Sequence, residues 1–488
     1  MTRRAIIVGA GFGGLATACH LAGSGWDVEI VERLDQPGGR AGRLERNGFR
    51  FDTGPTVLTM PDLLRATFSA AGTEMDDHLT LTRLDPAYRA CFADGTELRV
   101  RADRGEMAAE VARVCGADEA ERFDRYCDWL GRLCRVEVPA FLDRNYDHVT
   151  DLARPLGPAL QLLRLGALRR LDGVVTRAFR DDRLRRLFSF QSLYAGVAPQ
   201  RALGVLAVIG YMDVVAGVWA ASGGMHAVAT GLADAVVKAG GRIRYGTAVD
   251  EVVLADGDRG RVRGVRVGGE LLAADAVVVN ADLPGAYGLL PGLRPPARLR
   301  RARYSPSAVV WHIGARGRPA AGTAHHNIHF GRAWRGAFAA LADGRRMPDP
   351  SLLVSVPTLS DPRLAPSGAS VLYALEPVPN LTGGLDWTRL RGTVRDDLAA
   401  RIEQLGYPID VVEEALIDPV DWARQGLAAG TPFSLSHTFS QSGPFRPSNV
   451  DARAPGLVFV GTGTVPGVGV PMVLLSGKLA AERLGPGA

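Results

Sequence analysis

Gly9, Gly11 and Gly14 follow the apolar run Ala5-Ile6-Ile7-Val8 at the spacing G-x-G-x-x-G. The chemistry open to such a group is the seating of a diphosphate. A glycine at 9 permits a tight turn, one at 11 lets the backbone approach the pyrophosphate, and one at 14 lets a helix pack on the strand. Phe12 and Gly13 complete the turn. The first N–H groups of the helix that follows, with its positive dipole, then serve the phosphates. Glu32 lies 18 residues beyond Gly14, where a carboxylate accepts from ribose hydroxyls. An acid there repels a 2′-phosphate and disfavours NADP, while NAD and FAD both stay open.

These residues need a βαβ unit to hold them. Residues 5–8 read as a short buried strand, 15–22 as a helix ended by Gly23-Ser24-Gly25, and 27–32 as an alternating second strand. If the dinucleotide is a flavin, a second segment must reach its ribityl chain and ring. Residues 457–460 read as a strand, followed by the turn Gly461-Thr462-Gly463-Thr464. Residues 465–472 form a loop of valines, glycines, prolines and Met472, and 473–484 a helix whose N-terminus points back at it. Donors and positive dipole there would assist a ring that accepts hydride.

Two further segments carry a resemblance. Glu32-Arg33, then Gly38-Gly39-Arg40, then Phe51-Asp52-Thr53-Gly54-Pro55 resemble the flavin amine oxidase and carotenoid desaturase superfamily. Residues 461–478, G-T-G-T-V-P-G-V-G-V-P-M-V-L-L-S-G-K, look like the C-terminal signature of bacterial phytoene desaturases. The likeness continues through Phe188-Ser189-Phe190, Tyr194, Gly196, Gly217-Val218-Trp219, Gly223-Gly224-Met225, Asn280-Ala281-Asp282, His325-His326-Asn327 and Phe445-Arg446-Pro447. It implies an FAD enzyme that desaturates a carotenoid, phytoene toward lycopene, by hydride transfer to flavin and loss of a proton. It also implies that Arg33, Gly39, Arg40, Gly54, Pro55, Thr56, Val249, Gly461, Gly463, Thr464, Gly469, Val470, Pro471 and Met472 join the glycine turn and Glu32 around the cofactor. Arg40 is expected to neutralise phosphate charge, and Val249 to meet adenine through its backbone. Many family members carry P-R-G-G where this chain has Ala221-Ser222-Gly223-Gly224, which leaves the exact substrate open.

The expected fold is α/β: a Rossmann-like, two-dinucleotide FAD domain split along the chain, with an α+β substrate domain. Residues 1–75, 222–290 and 452–488 are assigned to the cofactor, 76–149 and 291–451 to the substrate, and 150–221 to a helical, membrane-associating region. The third assignment rests on texture. From Arg154 to Phe190 there are nine arginines and three aspartates among leucines and phenylalanines, which reads as basic amphipathic helix and suits an anionic membrane surface. Residues 203–221 are nearly all apolar, but Asp213 and several glycines argue against a spanning helix. A protein dipping into one leaflet from the cytoplasmic side, drawing a polyene from lipid, fits this pattern.

Composition narrows the rest. Of 57 basic residues only Lys238 and Lys478 are lysines, so the net charge of +5 reflects a uniform arginine bias and not a nucleic-acid face. Cys19, Cys91, Cys115, Cys127 and Cys134 form no C-x-x-C pair, as expected of a reduced cytoplasmic chain. Arg3-Arg4 and the apolar run behind them imitate a signal peptide, but cleavage would destroy the glycine turn, so the start reads as mature. Asp151 and Arg154, three apart, are the catalytic candidates, as a similar pair occurs in related desaturases. His325, His326 and His329 lack a carboxylate cluster, so no metal is expected. Oxygen or a membrane quinone is the expected electron acceptor. The competing readings are a desaturase or isomerase of another carotenoid (C30 or modified C40), a soluble flavin amine oxidase, or a lipid-binding protein that has lost its cofactor.

Overall fold

The structure, a computed structural model, describes residues 2–487 apart from Ala153, Pro155, Gly257 and Asp258. The apolar run at the N-terminus becomes the centre of a five-stranded parallel sheet. Its order is Leu457–Phe459, Ala276–Val279, Arg4–Val8, Asp27–Val31, Arg242–Arg244. Such strands are covered on both faces and read as unbroken apolar runs; Ala276–Val279 is buried at every position. Helices Phe12–Gly23, Met225–Lys238 and Val470–Leu484 cover one face. A β-carbon on Gly477 would lie 2.6 Å from Ala16 Cβ, so the last helix rests directly on the first. A three-stranded antiparallel sheet, Glu251–Asp256, Arg259–Val267 and Glu270–Ala273, lies against the other face.

Sheet strands thus come from four distant stretches of sequence. Residues 246–249, just past the edge strand Arg242–Arg244, join no strand of this sheet. Gly246 and Thr247 instead donate to the carbonyls of Leu34 and Glu32, both at 2.8 Å, which ties this segment to the end of the second parallel strand. A seven-stranded mixed sheet stands apart, in the order Asp410–Ile417, Ser307–Arg316, Ala369–Val378, Leu352–Ser355, His326–Phe330, Tyr88–Phe92, Glu97–Val100. Helix Trp387–Gln404 backs it through Val394, Leu398 and Ile402.

The stretch expected as basic amphipathic helix is three short ones: Leu156–Arg164, Leu171–Ala178 and Asp182–Leu187. Gly166 takes φ +74°, Phe179 is extended, and Asp181 caps the third helix by accepting from the Arg183 N–H. Leu171, Phe179, Leu184 and Leu187 are core, packed with Phe123, Tyr126 and Phe188. Only the first helix keeps apolar side chains in solvent. Among the described residues no helix is long and apolar enough to cross a membrane; Asp213 sits in a short π-helical turn, Tyr211–Ala216.

Candidate functional site

The glycine turn is built as its spacing requires. Gly9 takes φ +100°, a conformation that disfavours a side chain. A β-carbon on Gly14 would overlap the Gly9 carbonyl oxygen, so only glycine lets helix Phe12–Gly23 start there. Asn280, one residue past a parallel strand, fills the space behind the turn. Its amide donates to the Gly9 carbonyl at 3.2 Å, and β-carbons on Gly11 or Gly13 would stand 2.8–2.9 Å from it. The sequence motif around Asn280 was legible, but its role was not.

This turn borders a cavity of about 1050 Å³. Gly9, Gly11, Phe12 and Gly13 line one end of it, with Glu32, Arg33 and Val249. Both Glu32 oxygens accept backbone N–H groups, from Ala10 at 2.6 Å and Leu34 at 2.8 Å. The carboxylate is thereby fixed at the strand end, with lone pairs left for a ribose. Gly39, Arg40, Gly54, Pro55 and Thr56 continue the wall; a β-carbon on Gly54 would overlap the Arg40 carbonyl. Arg40 donates to the carbonyl of Pro432 at 2.6 Å and to the Thr462 hydroxyl at 2.9 Å, so it ties the N-terminal loop to the C-terminal one. Asp282 faces it. Burial pushes the Asp282 carboxyl up and the Arg40 guanidinium down, and each opposes the other's shift.

Gly461, Gly469 and Val470 close the cavity from the C-terminal segment. Five expected cofactor residues do not line it. Gly14 lies behind the turn; Gly463 packs on Leu283, where a β-carbon would come within 2.5 Å of the leucine side chain. Thr464, Pro471 and Met472 are likewise absent from its lining. What holds that loop is Arg446. Its buried guanidinium donates to four carbonyls, those of Thr462, Thr464, Leu435 and Gln441. Arg446 was visible in the sequence only as part of a motif, because its partners are backbone atoms that no sequence pattern marks.

The residues present fit a flavin dinucleotide on two observations. The cradle at 9–14 has room only because side chains are missing. One oxygen of Asp282, Oδ1, is buried at the cavity wall and completes no hydrogen bond among the described residues, an acceptor placed for a hydroxyl. Beyond that end the cavity turns apolar, lined by Phe190, Ile328, Phe330, Trp334, Phe338 and Met347. A polar channel for a dinucleotide therefore opens into an oily one.

Asp151 and Arg154 are outside this cavity. Asp151 accepts the N–H groups of Asp147 and His148 at 2.8 and 2.9 Å, which hold its carboxyl below the usual range, and it pairs with exposed Arg154 at 3.3 Å. His325, His326 and His329 bond to separate partners, Ser360, Ser355 and Tyr407. The five cysteines are unpaired, and burial pushes their thiols up to about 11 or 12. At Ser222, where relatives of the motif carry arginine, the hydroxyl accepts from Arg363 at 2.9 Å and Arg43 donates to the Gly223 carbonyl; Arg363 is paired with Asp361 at 2.8 Å, and Asp361 accepts the Gly223 N–H, so an ion pair as well as Arg43 holds this junction.

Fold and site together define a flavin-dependent oxidoreductase. The model of the flavin containing amine oxidoreductases matches residues 12–485, and the chain belongs to that family, within its phytoene desaturase branch, with FAD as cofactor. It is 50% identical to the phytoene dehydrogenase of Streptomyces griseus, over 98% of this chain and 94% of that one. It is 41% identical to the zeta-carotene-forming phytoene desaturase of Myxococcus xanthus, over 99% and 94%. Among solved structures, an oxidoreductase from Methanosarcina mazei matches with a TM-score of 0.64 at 16% identity, covering 98% of this chain and 100% of that one. Putrescine oxidase matches at 0.62 and 16%, covering 99% of each.

Proposed function

We propose that this chain desaturates phytoene toward lycopene. The observation that carries the reading is the single cavity, polar and glycine-rich at one end, apolar and aromatic at the other. The flavin supplies hydride acceptance when bound. The chain's part is to position and to exclude water: Phe190, Phe330, Trp334 and Phe338 give a polyene an apolar bed, where it leaves water at about 25 cal/mol per Å² of apolar surface. Residues 1–75, 222–290 and 452–488 serve the cofactor, 76–149 and 291–451 the substrate. Asp151 and Arg154 shape a loop rather than react. The electrons leave to oxygen or a membrane quinone.

Expression in a bacterium that accumulates phytoene tests the reading. Red lycopene is expected. No change with phytoene, but colour from a C30 precursor, would move the substrate to that class.

The substrate arrives from lipid, and one surface suits that. Leu156, Leu160 and Leu163 lie on one face of helix Leu156–Arg164 and are 65, 52 and 54% exposed; Val149, Leu168 and Phe439 are also exposed. Arg154, Arg164, Arg169 and Arg170 flank them. This is the composition of an interfacial helix on an anionic leaflet, and we place the protein at the cytoplasmic face of the membrane. Leu156→Gln, Leu160→Gln and Leu163→Gln together forfeit about 1 kcal/mol each of half-buried apolar surface, so affinity for anionic liposomes should fall about 100-fold. Co-sedimentation of the triple variant at the wild-type level would refute this surface.

A further inference from the structure

Asp213 argued against a spanning helix in the sequence, and nothing in the cofactor site uses it. In the structure it is a buried carboxylate, 3% exposed, in the π-helical turn Tyr211–Ala216. Tyr88, on the strand Tyr88–Phe92, presents its hydroxyl to both Asp213 and Tyr194. Neither the Tyr88 hydroxyl nor Asp213 Oδ2 completes a hydrogen bond of standard geometry, so three oxygens are gathered without being locked. Tyr194 lines the cavity. Phe190, also in the cavity wall, meets Tyr88 and Tyr194 edge-on, at 6.5 and 5.7 Å between ring centres. The residue after Tyr194 is tied to the flavin loop: His437 donates its backbone N–H to the Ala195 carbonyl at 2.8 Å, and its ring occupies the space beside Gly467. Tyr194 therefore stands where the apolar channel meets the C-terminal loop.

Burial penalises the charged form of a carboxylate that no cation pairs with. Burial raises Asp213 to about 7, and Tyr88 alone among the described side chains pulls it back. Such a group is poised to take a proton near neutrality.

We propose that Tyr194, Tyr88 and Asp213 form a proton relay that removes the proton lost in desaturation, with Tyr194 the catalytic residue at the substrate and Tyr88 and Asp213 acting through it. The inference rests on the desaturase reading. With flavin bound, the substrate would give up a hydride, with its electron pair, to that acceptor. The C–H bond on the neighbouring carbon then breaks, and its electron pair becomes the new C=C bond. The proton goes to the Tyr194 oxygen as Tyr194 passes its own to Tyr88 and Tyr88 passes its own to Asp213. Two electrons end on the flavin and one proton on the carboxylate, so no further reactant is needed.

The test uses the FAD-loaded protein with phytoene in liposomes. General base catalysis contributes about 10²–10⁴-fold, so Asp213→Asn and Tyr194→Phe should each lower kcat by about 10²-fold with KM little changed. Wild-type kcat should rise with pH through about 7, because Asp213 must be ionised to accept; Asp213→Asn should lose that limb, and Asp213→Glu should regain part of it. Independently of turnover, infrared difference spectra should show a carboxyl group that ionises near neutrality and is missing in Asp213→Asn. Should Asp213→Asn fail to fold, Tyr88→Phe keeps the carboxylate and breaks the relay. Wild-type kcat with an unchanged pH profile in Asp213→Asn or Tyr88→Phe, or a carboxyl that stays ionised throughout, would overturn the relay and leave the desaturase reading standing. A wild-type protein that converts no carotenoid overturns both.

Discussion

Replacing Gly14 by valine is expected to yield a protein that purifies without bound flavin. The β-carbon would occupy the position of the Gly9 carbonyl oxygen and press on the Asn280 amide and the Ile7 side chain. All three belong to elements fixed by the parallel sheet, so the clash has no flexible side-chain tip to absorb it. Forcing extra volume into such a contact costs about 1–3 kcal/mol before branching is counted. The displaced helix start also withdraws the N–H groups that serve the diphosphate. Affinity for FAD should fall at least about 100-fold, read as loss of flavin absorbance in the purified protein and by titration of the apoprotein. Retention of stoichiometric flavin would show that the turn is not the diphosphate seat.

Arg446→Met is expected to be as severe by another route. The guanidinium serves four backbone carbonyls at once, and among the described residues no carboxylate pairs with it. Methionine fills much of the volume but leaves four buried acceptors unserved, each worth about 1–3 kcal/mol. Even with partial relief by entering water, a loss of about 3–5 kcal/mol follows. The loss is local: Thr462 and Thr464 belong to the loop that closes the cavity and Leu435 and Gln441 to the segment behind it. Thermal unfolding should shift down, and added FAD should recover less of the stability than it does in the wild type. Arg446→Lys should rescue little, since an ammonium is a point charge and cannot span four carbonyls as a planar fork does. Wild-type melting with normal flavin content in Arg446→Met would refute the role.

The two variants differ in what the sequence could say about them. Gly14 is legible because its constraint is local: a turn, a strand and a helix within 30 residues, whose geometry follows from backbone sterics alone. The same holds for Gly9, Gly11 and Glu32, and for the apolar runs that became parallel strands. The loop at 461–472 was legible because few residue types other than glycine, proline and small side chains can lie that close to a ligand. Arg446, Asn280 and Asp282 were visible as letters in motifs but not as parts, since their partners lie far away along the chain and are largely backbone atoms. In the basic middle, counting arginines and leucines could not separate Leu160, which meets solvent, from Leu184, which is buried in the cluster of Phe123 and Tyr126; both lie in short helices that carry arginine, and only packing against the rest of the fold decides which is core. Asp213 shows the same division most sharply. The sequence could say that a carboxylate in an apolar run does not belong in lipid. That it stands beside the Tyr88 hydroxyl, which in turn faces Tyr194 at the cavity wall, was decided by tertiary structure, because strand Tyr88–Phe92, the turn at 211–216 and the loop at 194 converge only when the chain folds.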